Sequence, residues 1–181
     1  AGAFGILQAH FEPPSVFRDE LRKTRDLTDK PFGVNFLLHF PVEEQIAACL
    51  EEEIAALSFF WGDPAPYVER AHDAGKLVIH QVGSVDDAKR SDEAGVDLII
   101  AQGVEAGGHV AGVISTMTLV PQVVDTVSPV PVAAAGGITD ARGVSAALAL
   151  GAEAAVLGTR FLATVESRAH PDYKQKLLAA N

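Results

Sequence analysis

The chain has 181 residues, of which 48% are hydrophobic and 21% are charged, and this balance suits one globular domain. Its net charge of −10 argues against nucleic acid or an anionic membrane surface as a partner, because both require clustered Lys and Arg. Cys49 is the single cysteine, so the chain cannot form an intramolecular disulfide. We also recognise no secretory signal and no apolar run of membrane length, and we therefore expect a cytoplasmic protein.

Short apolar runs recur along the chain and are mostly rich in Val, Ile, Leu or Phe. Runs of this length, nearly continuous in apolar residues, are typical of strands buried on both faces of a parallel sheet. Amphipathic segments separate them and predict helices. The predicted strands are Ala3–Leu7, Gly33–Leu37, Ala55–Phe60, Leu77–Val82, Val96–Ala101, Val130–Ala135 and Ala154–Leu157.

The segments between the strands carry signals for helix faces and helix ends. Phe17, Leu21 and Leu27 are predicted to share the buried face of the first helix. Asp63 precedes a proline and Asp140 follows a glycine pair, so each is predicted to cap the helix that comes after it. The acidic run 51–53 is interpreted as a solvated helix face rather than a metal site.

Alternating strands and helices predict one α/β domain over residues 1–181. The period resembles a TIM-type (β/α)8 barrel, which usually has eight units in about 250 residues. Seven predicted strands leave one unit missing, so we expect an incomplete barrel. The competing doubly wound fold should carry G-x-G-x-x-G after its first strand, and Gly2 and Gly5 do not complete that fingerprint.

Glycines follow three of the predicted strands, at the end where barrels place their active sites. Gly107 and Gly108 would let the backbone approach a flat ligand, and His109 offers an imidazole suited to general base work. A glycine-rich turn with a structural histidine is the equally weighted alternative. The pairs Gly136-Gly137 and Gly158-Thr159 end two consecutive strands and together predict a phosphate site, although each alone suits a tight turn.

Other kinds of chemistry lack their signatures. We find no G-x-S-x-G, no H-E-x-x-H and no Cys–His spacing for zinc, so no metal is predicted. Cys49 lies on an apolar helix stripe and is expected in the core rather than as a nucleophile. His80 is predicted to line the barrel mouth or to be structural, and Trp61 to wall a pocket or pack in the core.

Four segments carry a resemblance to a known enzyme family. They are Asp29–Asn35 (DKPFGVN), Gln102–His109 (QGVEAGGH), Ala135–Ile138 (AGGI) and Gly158–Phe161 (GTRF). In this order they resemble the nitronate monooxygenases, formerly called 2-nitropropane dioxygenases. Flavin mononucleotide (FMN)-dependent enoyl-[acyl-carrier-protein] reductases and some NADH:quinone reductases share the Glu-Ala-Gly-Gly-His type of loop.

The resemblance implies non-covalent FMN and a monooxygenase reaction. An alkyl nitronate would be oxidised to a carbonyl compound and nitrite, with dioxygen reoxidising the flavin and His109 as catalytic base for neutral nitroalkanes. The implied partners are therefore a small nitronate or nitroalkane and dioxygen. The residues implied to bind FMN lie on the same strand ends and are Asn35, Gln102, Gly107, Gly108, Gly136, Gly137, Val156, Leu157, Gly158 and Thr159.

The sequence departs from this family at both ends. The segment 1–5 matches the family's second strand, so the first strand and a C-terminal extension are expected to be missing. A barrel that lacks a strand has open strand edges. We therefore expect that the chain is a fragment, that another chain covers the edges as in a homo-oligomer, or that FMN binds weakly. Two functional alternatives stay open: an FMN-dependent NAD(P)H reductase of enoyl thioesters or quinones, and a non-catalytic truncated barrel remnant.

Overall fold

Strands and helices alternate along the computed structural model, which describes residues 3–9 and 13–180. In chain order the elements over those residues are β1 (Gly5–Gln8), α1 (Pro14–Leu27), β2 (Phe32–Leu37), α2 (Glu43–Glu51), β3 (Ala56–Phe60), α3 (Ala65–Asp73), β4 (Leu77–Val82), α4 (Val85–Glu93), β5 (Leu98–Gln102), α5 (Thr116–Val127), β6 (Val132–Ala135), α6 (Ala141–Ala149), β7 (Ala154–Val156), α7 (Thr159–Leu162) and α8 (Pro171–Ala179).

Each of the seven apolar runs overlaps one of these strands, with ends that differ by up to two residues, so the existence and order of the predicted strands are confirmed. The strands follow one another in the sheet in chain order. Parallel neighbours are connected through helices, so the carboxyl ends of β1–β4 lie at one edge, and those of the paired strands β6 and β7 lie at one edge. Asn35, Gln102 and Val156 lie within strands, and the other predicted functional residues lie in the segments that follow β5, β6 and β7.

Two compact units divide the chain. The first consists of residues 1–82 and 86–99 and contains β1–β4, which pair in parallel. Its core has phenylalanines on the helix-facing side of neighbouring strands. Phe36 lies with its ring 6.2 Å from that of Phe59 and 6.2 Å from that of Phe17 on α1, and all three are fully buried. Their burial fixes α1 against the sheet.

The second unit consists of residues 83–85 and 100–181. Strands β6 and β7 pair in parallel, from Ala133 opposite Ala154 to Ala135 opposite Val156. Helix α5 buries one face, which consists of Leu119, Val120, Val123 and Val127. The small alanines of β6 are all buried.

The predicted helix ends are largely correct. Asp63 accepts a hydrogen bond from the backbone N–H of Ala65, and Asp140 accepts from the first turn of α6. The predicted face of α1 is correct for Phe17 and Leu21 but wrong for Leu27, which is 87% exposed. The cause is geometric, because a spacing of six residues rotates Leu27 away from the stripe that residues four apart share.

Acidic residues at the end of α2 make surface ion pairs. Glu51 lies 2.6 Å from Arg18, and Glu52 lies 3.1 Å from Arg22. Within residues 3–9 and 13–180, no three His, Cys, Asp or Glu side chains gather closely enough to hold a metal ion. Over the same residues, no helix has the length and apolar character needed to cross a membrane.

Candidate functional site

The connection from β5 to α5, residues 103–115, carries His109, and hydrogen bonds restrain its backbone near both ends. Gln102, the last residue of β5, is buried, and its side-chain amide donates a hydrogen bond of 2.9 Å to the backbone carbonyl of His109. The backbone N–H of Val104 donates to the carbonyl of Ile114 over 2.9 Å. These bonds hold the backbone at His109, whereas His109 itself is exposed.

A carboxylate links this loop to the helix that follows it. Oε2 of Glu105 accepts hydrogen bonds from the backbone N–H of Thr116 (2.9 Å) and from the Thr116 hydroxyl (3.0 Å). Thr116 is the first residue of α5, where unpaired N–H groups favour negative charge. The backbone N–H of Thr116 is the main cause that lowers the pKa of Glu105, so Glu105 is ionised at neutral pH.

The three glycine loops of the second unit converge. A Cβ atom on Gly107 would lie 2.4 Å from Oγ1 of Thr159, and one on Gly137 would lie 3.6 Å from Cβ of Glu105. Gly136, at φ +114°, leaves room for Thr116, whose Oγ1 would be 2.7 Å from a Cβ there. The structure therefore brings together loops that are far apart in the sequence.

The end of β6 differs from the expected helix N-terminal anion site. Oδ1 of Asp140 already accepts from the backbone N–H groups of Arg142 and Gly143, at 2.9 and 3.4 Å. The Arg142 side chain is the main cause that lowers the pKa of Asp140. An added anion at the N-terminus of α6 would compete with this carboxylate, whereas the backbone of Gly137 is exposed.

At the end of β7 the backbone is open. Val156 and Leu157 are half-buried, while Gly158 and Thr159 are exposed at the start of α7. A Cβ atom on Gly158 would meet no atom within 4 Å. This surface leaves space for a ligand beside the backbone of Gly158.

Asn35 belongs to the first unit and lies in a row of hydrogen-bonded side chains. Its Nδ2 donates to Oε1 of Gln8 over 2.8 Å, and its Oδ1 accepts from the hydroxyl of Ser58 over 3.0 Å. The three residues occupy the same register position on β1, β2 and β3. Asn35 is therefore held by the strands on both sides.

The structure also places three other residues that the sequence analysis discussed, His80, Cys49 and Trp61. Nδ1 of His80 lies 2.7 Å from the hydroxyl of Ser91 on α4, so the prediction that His80 lines the barrel mouth is wrong. Cys49 is fully buried, and burial raises the pKa of its thiol to about 12, so it belongs to the core as predicted. Trp61 has a left-handed backbone (φ 58°), and its ring stacks on Phe60.

Sequence reasoning missed several residues that position the site. Glu105 stands inside the QGVEAGGH segment, yet its role became visible only with its partner Thr116. Gln8 and Ser58 were missed because only the strand register places them beside Asn35. Gln8 and Ser58 are polar residues within or next to an apolar strand run, and this pattern is the signal that could have identified them.

Residues 40–181 match the family model described as nitronate monooxygenase. The chain belongs to the nitronate monooxygenase family. Among curated relatives, a protein of Bacillus subtilis named probable nitronate monooxygenase is 32% identical, over 99% of this chain and 64% of its own length. A hydroxy-methyl-oxo-octahydro-indene-carboxyl-CoA dehydrogenase of Rhodococcus jostii is 38% identical, over 99% of this chain and 50% of its own length. The chain thus spans one half to two thirds of these relatives.

Solved structures agree with this family. FabK from Thermotoga maritima has a TM-score of 0.94 and 42% identity, over 99% of this chain and 58% of that chain. A nitroalkane oxidase from Streptomyces ansochromogenes has a TM-score of 0.90 and 31% identity, over 95% of this chain and 62% of that chain. The predicted fold class, a TIM-type β/α barrel represented here by seven strands, is confirmed, as is membership of an oxidoreductase family.

Proposed function

We propose that this chain is the FMN-binding part of an oxidoreductase that acts on alkyl nitronates, with His109 as its base. One observation carries the proposal. The glycine loops around Gly107, Gly137 and Gly158 lie close together within one unit, and the loop that contains Gly107 also carries His109. Membership of the nitronate monooxygenase family supports the choice of substrate.

The residues present fit a flavin phosphate and ring. Oε1 of Gln102 is buried, and within the described part of the chain it has no hydrogen-bond partner, so a donor on the cofactor would satisfy it. Gly137 and Gly158 expose backbone that can donate N–H groups to a phosphate. Any side chain at position 107 would displace the Thr159 hydroxyl, so a glycine there keeps this surface flat.

A bound FMN would supply the redox chemistry that links oxidation of the nitronate to reduction of dioxygen. The chain's own contribution is to hold the substrate and to move a proton. In this proposal His109 removes the α-proton of a nitroalkane, which gives the nitronate, and a preformed nitronate needs no such step. Gln102 fixes the backbone of His109 while the imidazole stays at the exposed surface.

The first test is flavin retention. The 181-residue chain is mixed with FMN, passed through gel filtration and examined by visible absorption; a structured flavin spectrum that elutes with the protein is expected. Turnover of a preformed nitronate to nitrite in air is then measured. A chain that folds cooperatively, as followed by unfolding, but cannot retain FMN would contradict the proposal and favour a non-catalytic remnant.

A second candidate, an oxidoreductase of coenzyme A thioesters, has a specific observation in its favour. The alignment with the Bacillus relative runs over 223 residues although this chain has 181, so that relative contains internal residues that this chain lacks. The alignment with the Rhodococcus carboxyl-CoA dehydrogenase runs over 180 residues and takes in 99% of this chain. In this respect the chain resembles the Rhodococcus carboxyl-CoA dehydrogenase more closely than the Bacillus relative.

The two candidates differ in what reduces the flavin. Flavin absorbance is followed without air after addition of a nitronate, of NADH or NADPH, or of an acyl-CoA thioester. Bleaching by the nitronate alone supports the first candidate. Bleaching of the flavin by a nicotinamide, followed by reoxidation with an enoyl thioester or a quinone, supports a reductase. Bleaching by a saturated acyl-CoA thioester supports an oxidoreductase of coenzyme A thioesters.

A further inference from the structure

We propose that Glu105 and Thr116 are positioning residues that couple cofactor phosphate binding to the placement of the His109 loop. The inference rests on the proposed function, because it concerns the same FMN site. Neither residue is assigned a contact with substrate or cofactor. They act through the two glycine loops that they join, and together Glu105 and Thr116 form a clamp.

The first half of the clamp closes the loop that carries His109. Oε2 of Glu105 accepts two hydrogen bonds from Thr116, one from the backbone N–H and one from the hydroxyl, at 2.9 and 3.0 Å. A carboxylate that accepts at a helix N-terminus makes charge-assisted bonds, which are about twice as strong as neutral ones. Because Glu105 precedes His109 in the loop and Thr116 follows it, these bonds restrain the segment between them.

The second half of the clamp reaches the loop after β6. Oγ1 of Thr116 also lies 3.1 Å from the carbonyl oxygen of Gly136 and 3.4 Å from that of Ala135, and Thr116 is only 8% exposed. A hydroxyl has one proton, so the Glu105 carboxylate and the Gly136 carbonyl share it. Any movement of the Gly136-Gly137 backbone therefore changes the bond that holds Glu105.

Glycine at two positions makes this arrangement feasible. A Cβ atom on Gly103 would lie 2.1 Å from Oγ1 of Thr116, and one on Gly136 would lie 2.7 Å from it. Contacts this short are not seen for real Cβ atoms, so the buried hydroxyl can occupy its place only between two glycines. The sequence thus leaves a space at both loops that Thr116 fills.

The clamp also controls where the charge of Glu105 lies. Gly137, proposed to bind the cofactor phosphate, would place a Cβ 3.6 Å from Cβ of Glu105. An unrestrained carboxylate so close to a phosphate would repel it. Hydrogen bonds to the N-terminus of α5 hold the carboxylate against positive partial charge instead, which makes a bound phosphate and an ionised Glu105 compatible.

The test compares FMN with riboflavin, which has the same ring system but no phosphate. Binding to the 181-residue chain is measured by quenching of flavin fluorescence for the wild type, Thr116→Val, Thr116→Ser and Glu105→Gln. Thr118→Val is the matched control, because Thr118 is exposed on the same helix and its hydroxyl oxygen accepts from Ser115. Unfolding midpoints are recorded for every variant.

For Thr116→Val we expect FMN affinity to fall about tenfold and riboflavin affinity to fall much less, because the variant loses the hydroxyl that joins the Glu105 carboxylate to the Gly136 carbonyl at the phosphate loop. Thr116→Ser should restore FMN affinity. Glu105→Gln should weaken it by a smaller factor, since the amide oxygen accepts the same two bonds without charge. The control should match the wild type.

Two results would overturn this inference and leave the proposed function standing. The first is unchanged FMN affinity in both Thr116→Val and Glu105→Gln. The second is an equal loss of affinity for FMN and riboflavin with no recovery in Thr116→Ser. The second result would make Thr116 a purely structural residue. Should Thr116→Val fail to fold, the surface variant Glu105→Gln decides by the same comparison. A wild-type chain that binds neither flavin overturns the proposed function and, with it, this inference.

Discussion

The hydroxyl of Ser58 donates a hydrogen bond of 3.0 Å to Oδ1 of Asn35. Ser58 is buried and lies on β3 directly opposite Asn35 on β2. The bond decides which way the Asn35 amide faces: its oxygen points toward β3, and its nitrogen donates to Gln8 on β1. An amide oriented in this way offers its remaining N–H and lone pair in fixed directions, which is what a planar ligand with matching polar edges requires.

If Asn35 contacts the flavin, as the family resemblance implies, Ser58→Ala should weaken FMN binding without removing Asn35. The Asn35 oxygen loses its donor, the amide gains freedom, and unfolding should become easier by about 1 kcal/mol. Fluorescence titration with FMN and urea unfolding measure the two effects. Ser145→Ala, which removes an exposed hydroxyl bonded only within α6, serves as the control. Flavin affinity that is unchanged in Ser58→Ala but lost in Asn35→Ala would mean that Asn35 needs no help in facing its ligand.

Gly112→Ala tests a backbone contact that holds the segment after His109. A Cβ atom on Gly112 would lie 2.2 Å from the carbonyl oxygen of Gly83, and one on Gly83 would lie 2.5 Å from the backbone nitrogen of Gly112. Backbone cannot rotate away as a side chain can, so we expect Gly112→Ala to lower the free energy of unfolding by about 1–3 kcal/mol. Gly5→Ala, where an added Cβ meets no atom within 4 Å, should leave it nearly unchanged. Equal urea midpoints for the two variants would show that the contact is not this close.

Buried His80 makes the stability of the first unit depend on pH. The hydroxyl of Ser91 donates to the carbonyl of Asp87 over 2.8 Å, so Nδ1 of His80 must donate to Ser91. Nε2 of the neutral ring then carries no proton. Burial is the main cause that lowers the pKa of His80; the carboxylate of Asp87, the backbone of Trp61 and the carboxylate of Asp63 act the other way, and Arg90 adds to the lowering.

A histidine whose pKa is lower in the folded than in the unfolded state takes up its proton more readily on unfolding. Stability is therefore full above the unfolded pKa of about 6.5 and falls as the pH drops below it, by up to about 1.4 kcal/mol per pH unit. His80→Asn keeps a donor near Ser91 and should reduce this slope by the equivalent of one proton. Urea unfolding from pH 8 to pH 5 measures it, with His170→Asn on exposed His170 as the control. Identical slopes in the wild type and His80→Asn would rule out His80 as the source.

Local patterns predicted the elements better than they predicted side-chain partners. The strands were predictable because a buried parallel strand is a short apolar run, and the caps Asp63 and Asp140 because a cap lies beside its helix in sequence. The direction of His80 was not, since a strand residue can point to either face and both faces of β4 are apolar. The bonds from Ser58 to Asn35 and from Glu105 to Thr116 depend on strand register and on a loop path, neither of which a single sequence specifies.

His109→Ala separates proton removal from the rest of the proposed reaction. Only neutral nitroalkanes need an α-proton removed, so the variant should lose roughly a hundredfold or more of its kcat/KM on a nitroalkane, and much less on the preformed nitronate. Initial rates of nitrite formation with both substrate forms give the two ratios, and FMN affinity is measured alongside to show that the cofactor remains bound. His170→Ala, at an exposed histidine of the helix α8 N-terminus, is the control and should keep both rates. Equal losses on both forms with FMN still bound would exclude His109 as the base, and would leave it as a residue that positions the substrate.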